Sequence, residues 1–283
     1  SRISTLLAAI RRVREGEYGH RAKIKGRDEL AEIAKEFNAL SERFERVENM
    51  RRQFVSDASH ELKTPLASIK VLADSITQTK DMPPEMIREF VEDIGNEINR
   101  LTRLAEKLLS ITRLDSNVEA EVSRVDVKEV IMRAAHTLNR LAQPEGIGIM
   151  LELSDDCYID ANEDDIYQIV FNLIENAIKY NVKGGQVRVF LFMKEDKVHF
   201  IVSDTGVGIA KEDLDRIFER FYRVDKARSR EAGGSGLGLA IVQNAVTRLN
   251  GTIETESTLG EGTRITVTFP CAKSRSAGKG GLS

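Results

Sequence analysis

The sequence predicts a multidomain chain, with an all-α N-terminal part of long helices followed by an α+β domain. Three observations carry that expectation. Apolar residues recur alternately three and four positions apart from Leu30 to Ala58, which is the period of a helix packed along one seam. Pro83-Pro84 then separates this pattern from a second helical one, and prolines favour a loop and a fresh helix start. Beyond Asn117 the helical period gives way to short alternating runs bounded by turn residues, the texture of helices laid on a sheet.

Composition narrows the function classes. The chain has 283 residues, is 41% hydrophobic and 31% charged, and carries a net charge of −3, a length that fits about two domains of ordinary size. Without tryptophan and near charge neutrality, it is not expected to bind nucleic acid. Two cysteines, Cys157 and Cys271, are too few for a disulfide framework or a cysteine metal site and fit a reducing compartment. No apolar run approaches the roughly 20 residues that span a bilayer. The start Ser1-Arg2-Ile3 has neither a methionine nor a signal-like apolar stretch, so a piece of a longer protein is expected.

In chain order, Leu6, Leu7, Ile10 and Val13 predict a short amphipathic helix that stops at Gly16-Glu17-Tyr18-Gly19, with a linker to Gly26. The seam Leu30, Ile33, Phe37, Leu40, Phe44, Val47, Arg51, Phe54 and Ala58 follows. It needs a partner helix, and Arg51 is its polar break. The pattern continues through Leu62, Leu66, Ile69, Leu72 and Ile76, and a second helix carries Ile87, Val91, Ile94, Ile98, Leu101, Ala105 and Leu108. Two such helices joined by the loop Thr79–Pro84 make an antiparallel hairpin, with apolar faces wide enough for a four-helix bundle in a dimer. Further on, strands are predicted at Arg188–Met193, Lys197–Ser203, Thr252–Glu256 and Arg264–Phe269, and helices at Lys128–Leu141, Asp164–Tyr180 and Leu237–Leu249. The sheet is expected to be mainly antiparallel, and the small, polar tail Lys273–Ser283 to be disordered.

Four clusters carry chemistry. In Ser59-His60-Glu61-Leu62-Lys63-Thr64-Pro65, His60 lies two residues past the seam residue Ala58, roughly 200° round the helix, and so faces solvent. A neutral imidazole keeps a free lone pair, and the neighbouring carboxylate of Glu61 can take the other nitrogen's proton during attack on an electrophile. Thr64 falls one turn on, on the same face, and Pro65 frees a carbonyl and is expected to bend the helix. The plain alternative is a surface histidine on a charged helix. In Asn172-Leu173-Ile174-Glu175-Asn176-Ala177-Ile178-Lys179-Tyr180, Asn172, Asn176 and Lys179 form one helical stripe. Amide oxygens and an ammonium there suit Mg²⁺ with attached phosphates, or make an ordinary polar face.

Ser203-Asp204-Thr205-Gly206-Val207-Gly208-Ile209 leaves a predicted strand. Its carboxylate can accept from an exocyclic amine such as adenine's, and its glycines permit close backbone approach. An aspartic-protease half-site would need a second facing carboxylate, and Asp-Thr-Gly does not recur. Gly233-Gly234-Ser235-Gly236-Leu237-Gly238 opens an apolar helix, which suits phosphate at the helix N-terminus or a simple hinge. Residues 220–230 hold Arg220, Arg223, Lys226, Arg228 and Arg230 against Asp225 alone, as a cationic lid over a polyphosphate or a solvated loop would.

In order and spacing, these clusters resemble bacterial two-component sensor histidine kinases. Phe54–Ser68 is similar to the family's phosphoacceptor box and Asn172–Asn181 to its asparagine box. Asp204–Ile209 and Gly234–Gly238 resemble its two glycine boxes, and Phe218–Phe221 its phenylalanine box. Residues Ile3–Arg46 resemble a HAMP signal-relay module, although Arg2 stands where such modules usually carry proline, so that Ser1-Arg2 reads as a cloning junction. Ser235 replaces a common threonine and keeps its hydroxyl.

The resemblance implies a HAMP module over 1–48, a dimerisation and phosphoacceptor hairpin over 49–117, a catalytic ATP-binding α+β sandwich over 118–271 and a tail over 272–283. It implies phosphorylation of His60 from ATP, with Glu61 as the assisting base and Thr64 orienting water for removal of phosphate from the partner. Asn172 and Asn176 would hold Mg²⁺ and phosphate, Lys179 a phosphate, and Tyr180 the nucleotide. Asp204 would read adenine in a pocket shaped by Gly206 and Gly208. Phe218, Phe221, Gly234, Ser235, Gly236, Leu237 and Gly238 would complete the nucleotide site. Implied partners are a second copy of the chain and a response regulator, and an upstream segment would anchor this cytoplasmic portion to the membrane. The segment Asp115–Ser123 would be a mobile connection, and Arg51 a point where the seam switches between two packings. A gyrase- or Hsp90-type ATPase without phosphotransfer, and a scaffold or dedicated phosphatase, are the rival readings. His20, His136 and His199 are expected in a linker, a helix and a strand, without a chemical role.

Overall fold

The computed structural model describes residues 2–115, 121–224 and 235–272. It divides into two compact units, Ser1–Ala67 and Ser68–Ser283. Residues 116–120 of the expected mobile connection Asp115–Ser123, the expected lid residues Asp225, Lys226, Arg228 and Arg230, Gly233, Gly234 and the tail from 273 lie outside the described residues.

The first unit holds helix α1 (Arg2–Arg14) and most of α2 (Glu29–Gln78). The connecting segment is tied to α2 by polar side chains. Asn38 accepts from the Ala22 amide at 2.7 Å and donates back to the Ala22 carbonyl at 3.0 Å. The Arg21 guanidinium donates to the Tyr18 carbonyl and to the Glu45 carboxylate, each at 2.7 Å. Backbone groups that leave a helix must find partners, and α2 supplies them here. Arg2 pairs with Asp28, so it has a structural part at the foot of α2 whatever its origin. The seam divides in two. Leu30 and Phe37 pack on a small core of Leu6, Ala9, Ala22 and Ala34, whereas Ile33, Leu40, Phe44 and Val47 stay about half exposed. α2 runs unbroken through Pro65, which is buried. Only the Glu61 carbonyl loses its i+4 donor.

The second unit begins within α2 and contains α3 (Pro84–Asp115), whose Leu104 is buried while Ile87, Val91 and Ile98 are exposed. Next come β1 (Ser123–Asp126), α4 (Val127–Ala142), β2 (Gly148–Leu153), β3 (Tyr158–Ala161), α5 (Glu163–Lys179), β4 (Gln186–Lys194), β5 (Lys197–Asp204), α6 (Gly238–Arg248), β6 (Thr252–Thr258) and β7 (Gly262–Pro270). The main sheet has the order β2-β4-β5-β7-β6, with β2–β4 parallel and the other pairs antiparallel, and β1 pairs with β3 in a separate ribbon. Strands β1 to β3 went unpredicted from the sequence. β1 and β3 span only four residues each, and β2 is largely exposed, so none of the three offers a sustained apolar–polar alternation.

One face of the sheet is covered. Val187, Val189 and Leu191 of β4, Phe200 and Val202 of β5, and Val267 and Phe269 of β7 point into a single core. There they meet Ile166, Ile169, Val170, Leu173 and Ile174 of α5, with α4 and α6 beside it. Period-2 burial on strands against a helical stripe is the α+β sandwich expected. Asp126 and Asn162 cap α4 and α5 by accepting from the Lys128 and Asp164 amides, which satisfies orphan donors. The β4–β5 hairpin turns on Glu195 and Asp196, both left-handed (φ 52° and 55°), as a two-residue turn matched to strand twist requires. His199 stacks on Phe192 with ring centroids 5.1 Å apart and meets Thr268 Oγ1 at 3.2 Å, an account of this histidine without chemistry.

Candidate active site

Between α5, the end of β5 and the β6–β7 hairpin lies a cavity of about 310 Å³. Its walls are Leu173, Ala177, Val202, Val207, Ile209, Ile217, Leu239 and Ile265, and its polar groups include Asn176, Tyr180, Asp204 and Thr263. An apolar slot with few convergent polar groups suits a planar heteroaromatic ligand.

Asp204 ends β5 at the cavity. One carboxylate oxygen accepts from the Gly206 amide at 2.8 Å and the Thr263 amide at 3.2 Å. Burial pushes its pKa up to about 6, against the downward pull of those two amides. A desolvated carboxylate with its other oxygen left over is a strong acceptor for an amine. The loop beyond it leaves no room for side chains. Gly208 is left-handed (φ 66°), and a Cβ there would lie 2.0 Å from the Thr258 carbonyl. A Cβ on Gly262 (φ 117°) would lie 2.0 Å from the Asp204 carbonyl. Gly262 and Thr263 were missed in the sequence. The run Gly260-Glu261-Gly262-Thr263 is a hairpin turn by composition, and nothing in it announces that the fold brings it against Asp204.

The second end of the site is built from α5 and α6. Gly238 is the first residue of α6, and a Cβ on it would stand 3.1 Å from Asn172 Oδ1 and 3.7 Å from Asn176 Nδ2. Asn172 donates to the Gln168 carbonyl at 2.8 Å, and its oxygen is turned toward α6. Leu237 is fully buried and offers α6 no side-chain cap. Among the described residues the buried Ser235 hydroxyl has no hydrogen-bond partner. Two amide side chains, an uncapped helix N-terminus and an orphaned hydroxyl fit phosphate oxygens and a hard cation. Lys179 is engaged with Glu175 at 2.8 Å, and Lys107 of α3 reaches the same carboxylate at 3.4 Å. Burial pushes Glu175 up, yet the two ammoniums outweigh it and hold the carboxyl below its ordinary range. Burial pulls Lys107 down, offset in part by Glu175.

The remaining expected residues are placed unevenly. Gly236 is left-handed (φ 68°), and its carbonyl accepts from the Phe221 amide at 2.9 Å. Among the described residues, Ile217 and Tyr222 line the cavity, and Phe218 and Phe221 do not. Phe221 is itself left-handed (φ 63°), so the chain reverses there and brings Tyr222 to the cavity instead. Tyr222 is anchored by donating to Asp213 and lies under Arg216, 4.1 Å from the ring centroid. Gly206 supports Asp204 from outside the cavity lining. His60 is exposed on α2, and Thr64 Oγ1 donates to its backbone carbonyl at 3.3 Å. Glu61 is half-buried beside it. Among the described residues no cluster of histidine, cysteine and carboxylate side chains forms a metal site, and no helix is long and apolar enough to cross a membrane.

Comparison with known proteins matches three stretches of the chain. Residues 161–273 match the histidine kinase-, DNA gyrase B- and HSP90-like ATPase family, 50–117 the His Kinase A phospho-acceptor domain, and 1–46 the HAMP domain. The chain belongs to the two-component sensor histidine kinases. A curated relative, the signal transduction histidine-protein kinase ArlS of Staphylococcus aureus (strain USA300), is 35% identical over 243 residues, 86% of this chain and 54% of that protein. The chain thus spans about half the length of the curated histidine kinases it matches. Among solved structures, full-length ShkA in complex with AMPPNP is 27% identical, covers 79% of this chain and 46% of its own, and has a TM-score of 0.59. Histidine kinase ThkA in complex with the response regulator TrrA shares the fold, at 20% identity and a TM-score of 0.64 over 81% of this chain and 66% of that one. His60 lies within the phospho-acceptor match and the Asp204 cavity within the ATPase match.

Proposed function

We propose that this chain binds ATP with its adenine in the Asp204 cavity, phosphorylates its own His60, and passes the phosphoryl group to an aspartate of a response regulator. The observation that carries the reading is the placement of Asp204 at one end of an apolar slot, with the uncapped α6 facing Asn172 and Asn176 near Asn176's wall of it. One end fits an aminopurine and the other a polyphosphate.

Asp204 accepts from the adenine amine while its second oxygen stays fixed by Gly206 and Thr263. Tyr180 and Tyr222 border the nucleotide, and Ser235, Gly236, Leu237 and Gly238 present the α6 terminus to phosphate, with Phe218 and Phe221 in the surrounding frame. Asn172 and Asn176 would hold Mg²⁺, which offsets charge on the phosphates when bound. The lone pair of one His60 nitrogen attacks the γ-phosphorus, and the bond to the β–γ bridging oxygen breaks as ADP leaves. Glu61 takes the proton from the other imidazole nitrogen. Positioning and charge neutralisation supply most of the rate in such transfers. Thr64, one turn beyond, would orient water for dephosphorylation of the regulator.

The half-exposed seam residues Ile33, Leu40, Phe44 and Val47 support a homodimer with a four-helix bundle, since such a row requires a facing helix. The HAMP match supports a role as the cytoplasmic, signal-receiving portion of a membrane-anchored sensor, with the 1–48, 49–117 and 118–271 regions as its successive parts. Labelling wild type, His60→Gln and Asn176→Ala with [γ-³²P]ATP tests the reading. Acid-labile, alkali-stable label is expected on wild type and lost in both variants. Label retained in His60→Gln sinks it. ATP hydrolysis without label favours the gyrase-type ATPase, and absence of both a scaffold or phosphatase.

A further inference from the structure

A purine amine carries two hydrogens, and in the nucleotide reading Asp204 accepts one of them. Thr263 borders the same cavity and donates its amide to Asp204 Oδ1 at 3.2 Å. Whether the Thr263 hydroxyl meets a ligand as donor or as acceptor is set from behind, by Ser257 of β6, which stands outside the cavity lining. Ser257 is the cross-strand partner of Thr263, and its Oγ makes three contacts. It lies 2.8 Å from the Gly262 carbonyl, 2.8 Å from the Ile209 amide nitrogen and 2.9 Å from Thr263 Oγ1. A hydroxyl has one proton and two lone pairs. A carbonyl only accepts, so the Ser257 proton goes to Gly262. An amide N–H only donates, so Ile209 takes one lone pair. The other lone pair receives the Thr263 proton, and Thr263 Oγ1 keeps only lone pairs for the cavity.

We propose that Ser257 is a positioning residue for base selection: by fixing the Thr263 hydroxyl as an acceptor, it makes the cavity favour a 6-aminopurine over a 6-oxopurine. The inference rests on the nucleotide reading above. Beside the Asp204 carboxylate, Thr263 Oγ1 takes the second hydrogen of the amine, whereas a 6-oxo oxygen would face two acceptors. Polar groups committed in one sense reject a ligand of the opposite sense, because both sides are then left unpaired out of water. The same hydroxyl holds Ile209 and Thr263, which both line the cavity, so the wall on either side of the base is fixed from one point on β6.

Displacement of a fluorescent adenine nucleotide from the full chain at pH 8, by ATP or by ITP, tests this. The two competitors differ only in the 6-substituent and the N1 proton that accompanies it. Wild type is expected to prefer ATP. In Ser257→Ala the Thr263 hydroxyl is released to donate toward a 6-oxo group, and the ATP-to-ITP preference is expected to fall by about tenfold. Ser257→Thr, which retains the hydroxyl, is expected to keep the preference within about twofold of wild type. Thr263→Val keeps the shape and removes the wired hydroxyl, so it is expected to lower the preference as well, and it decides the matter if Ser257→Ala does not fold. If the affinities for ATP and ITP fall in parallel, or if the preference is unchanged in the alanine and valine variants, Ser257 only braces the hairpin, and the nucleotide reading stands without it. A wild type that takes ATP and ITP equally also overturns the inference. If wild type binds no adenine nucleotide at all, the nucleotide reading fails and this inference with it.

Discussion

At the scale of single residues, Asp204 shows how a fold makes an ordinary carboxylate serve one purpose. Removed from water and held by two amides, it keeps a pKa of about 6, above the roughly 3.9 of an exposed aspartate. The folded state therefore binds this proton more tightly than the unfolded chain. From this group alone, stability falls as pH rises from about 4 to 6 and is level above that. Nucleotide affinity runs the other way, because only the ionised form accepts freely from an amine. Binding of a fluorescent adenine nucleotide is expected to weaken below about pH 6 in wild type and to lose that dependence in Asp204→Asn, as titrations across pH 5 to 8 would show. Gly208 makes the complementary case. With φ at 66° and the Thr258 carbonyl 2.0 Å from any Cβ, Gly208→Ala must displace backbone. A loss of about 2 kcal/mol or more is expected in denaturant melts, together with weakened nucleotide binding.

At the scale of elements, helices and strands answer to different forces. Phe200 on β5 is fully buried in the core that joins sheet and helices, so Phe200→Ala should cost about 3–5 kcal/mol in the melting of the C-terminal domain. The exposed half of the α2 seam contributes little to the isolated chain and is expected to hold the dimer. Leu40→Glu with Phe44→Glu should convert a dimer to a monomer by light scattering while leaving the helical circular dichroism of the chain nearly intact. If the doubly substituted chain stays dimeric, the seam is not the interface. α2 was largely legible in the sequence because fifty residues of helix repeat one period many times. β1 and β3, four residues each, offer too few repeats for any period to stand out.

At the scale of the whole molecule, the proposed function has a signal pass along α2, and Arg51 is the residue that interrupts its apolar row. It is exposed and pairs with Glu48 of the same helix at 3.3 Å. Arg51→Leu completes the row and should favour one packing of the bundle over the other, changing the ratio of His60 autophosphorylation to regulator dephosphorylation by severalfold. Equal ratios in wild type and variant would show that the polar break has no part in relay.

The sequence by itself determined the long helices, the hairpin loop at the paired prolines, and the types and order of the reacting residues. Each of these is written in local spacing: a heptad, a proline, a histidine followed by glutamate, an aspartate at a strand end followed by glycines. Tertiary structure alone decided which of them meet. It brought Thr263 and Gly262 to Asp204 across 59 residues, set Gly238 against Asn172 and Asn176, put Tyr222 on the cavity in place of Phe221, and drew Lys107 to Glu175. Such contacts depend on sheet order and on the path of the chain between distant elements, and no periodicity along a sequence encodes the distance between residues that only the folded backbone makes neighbours.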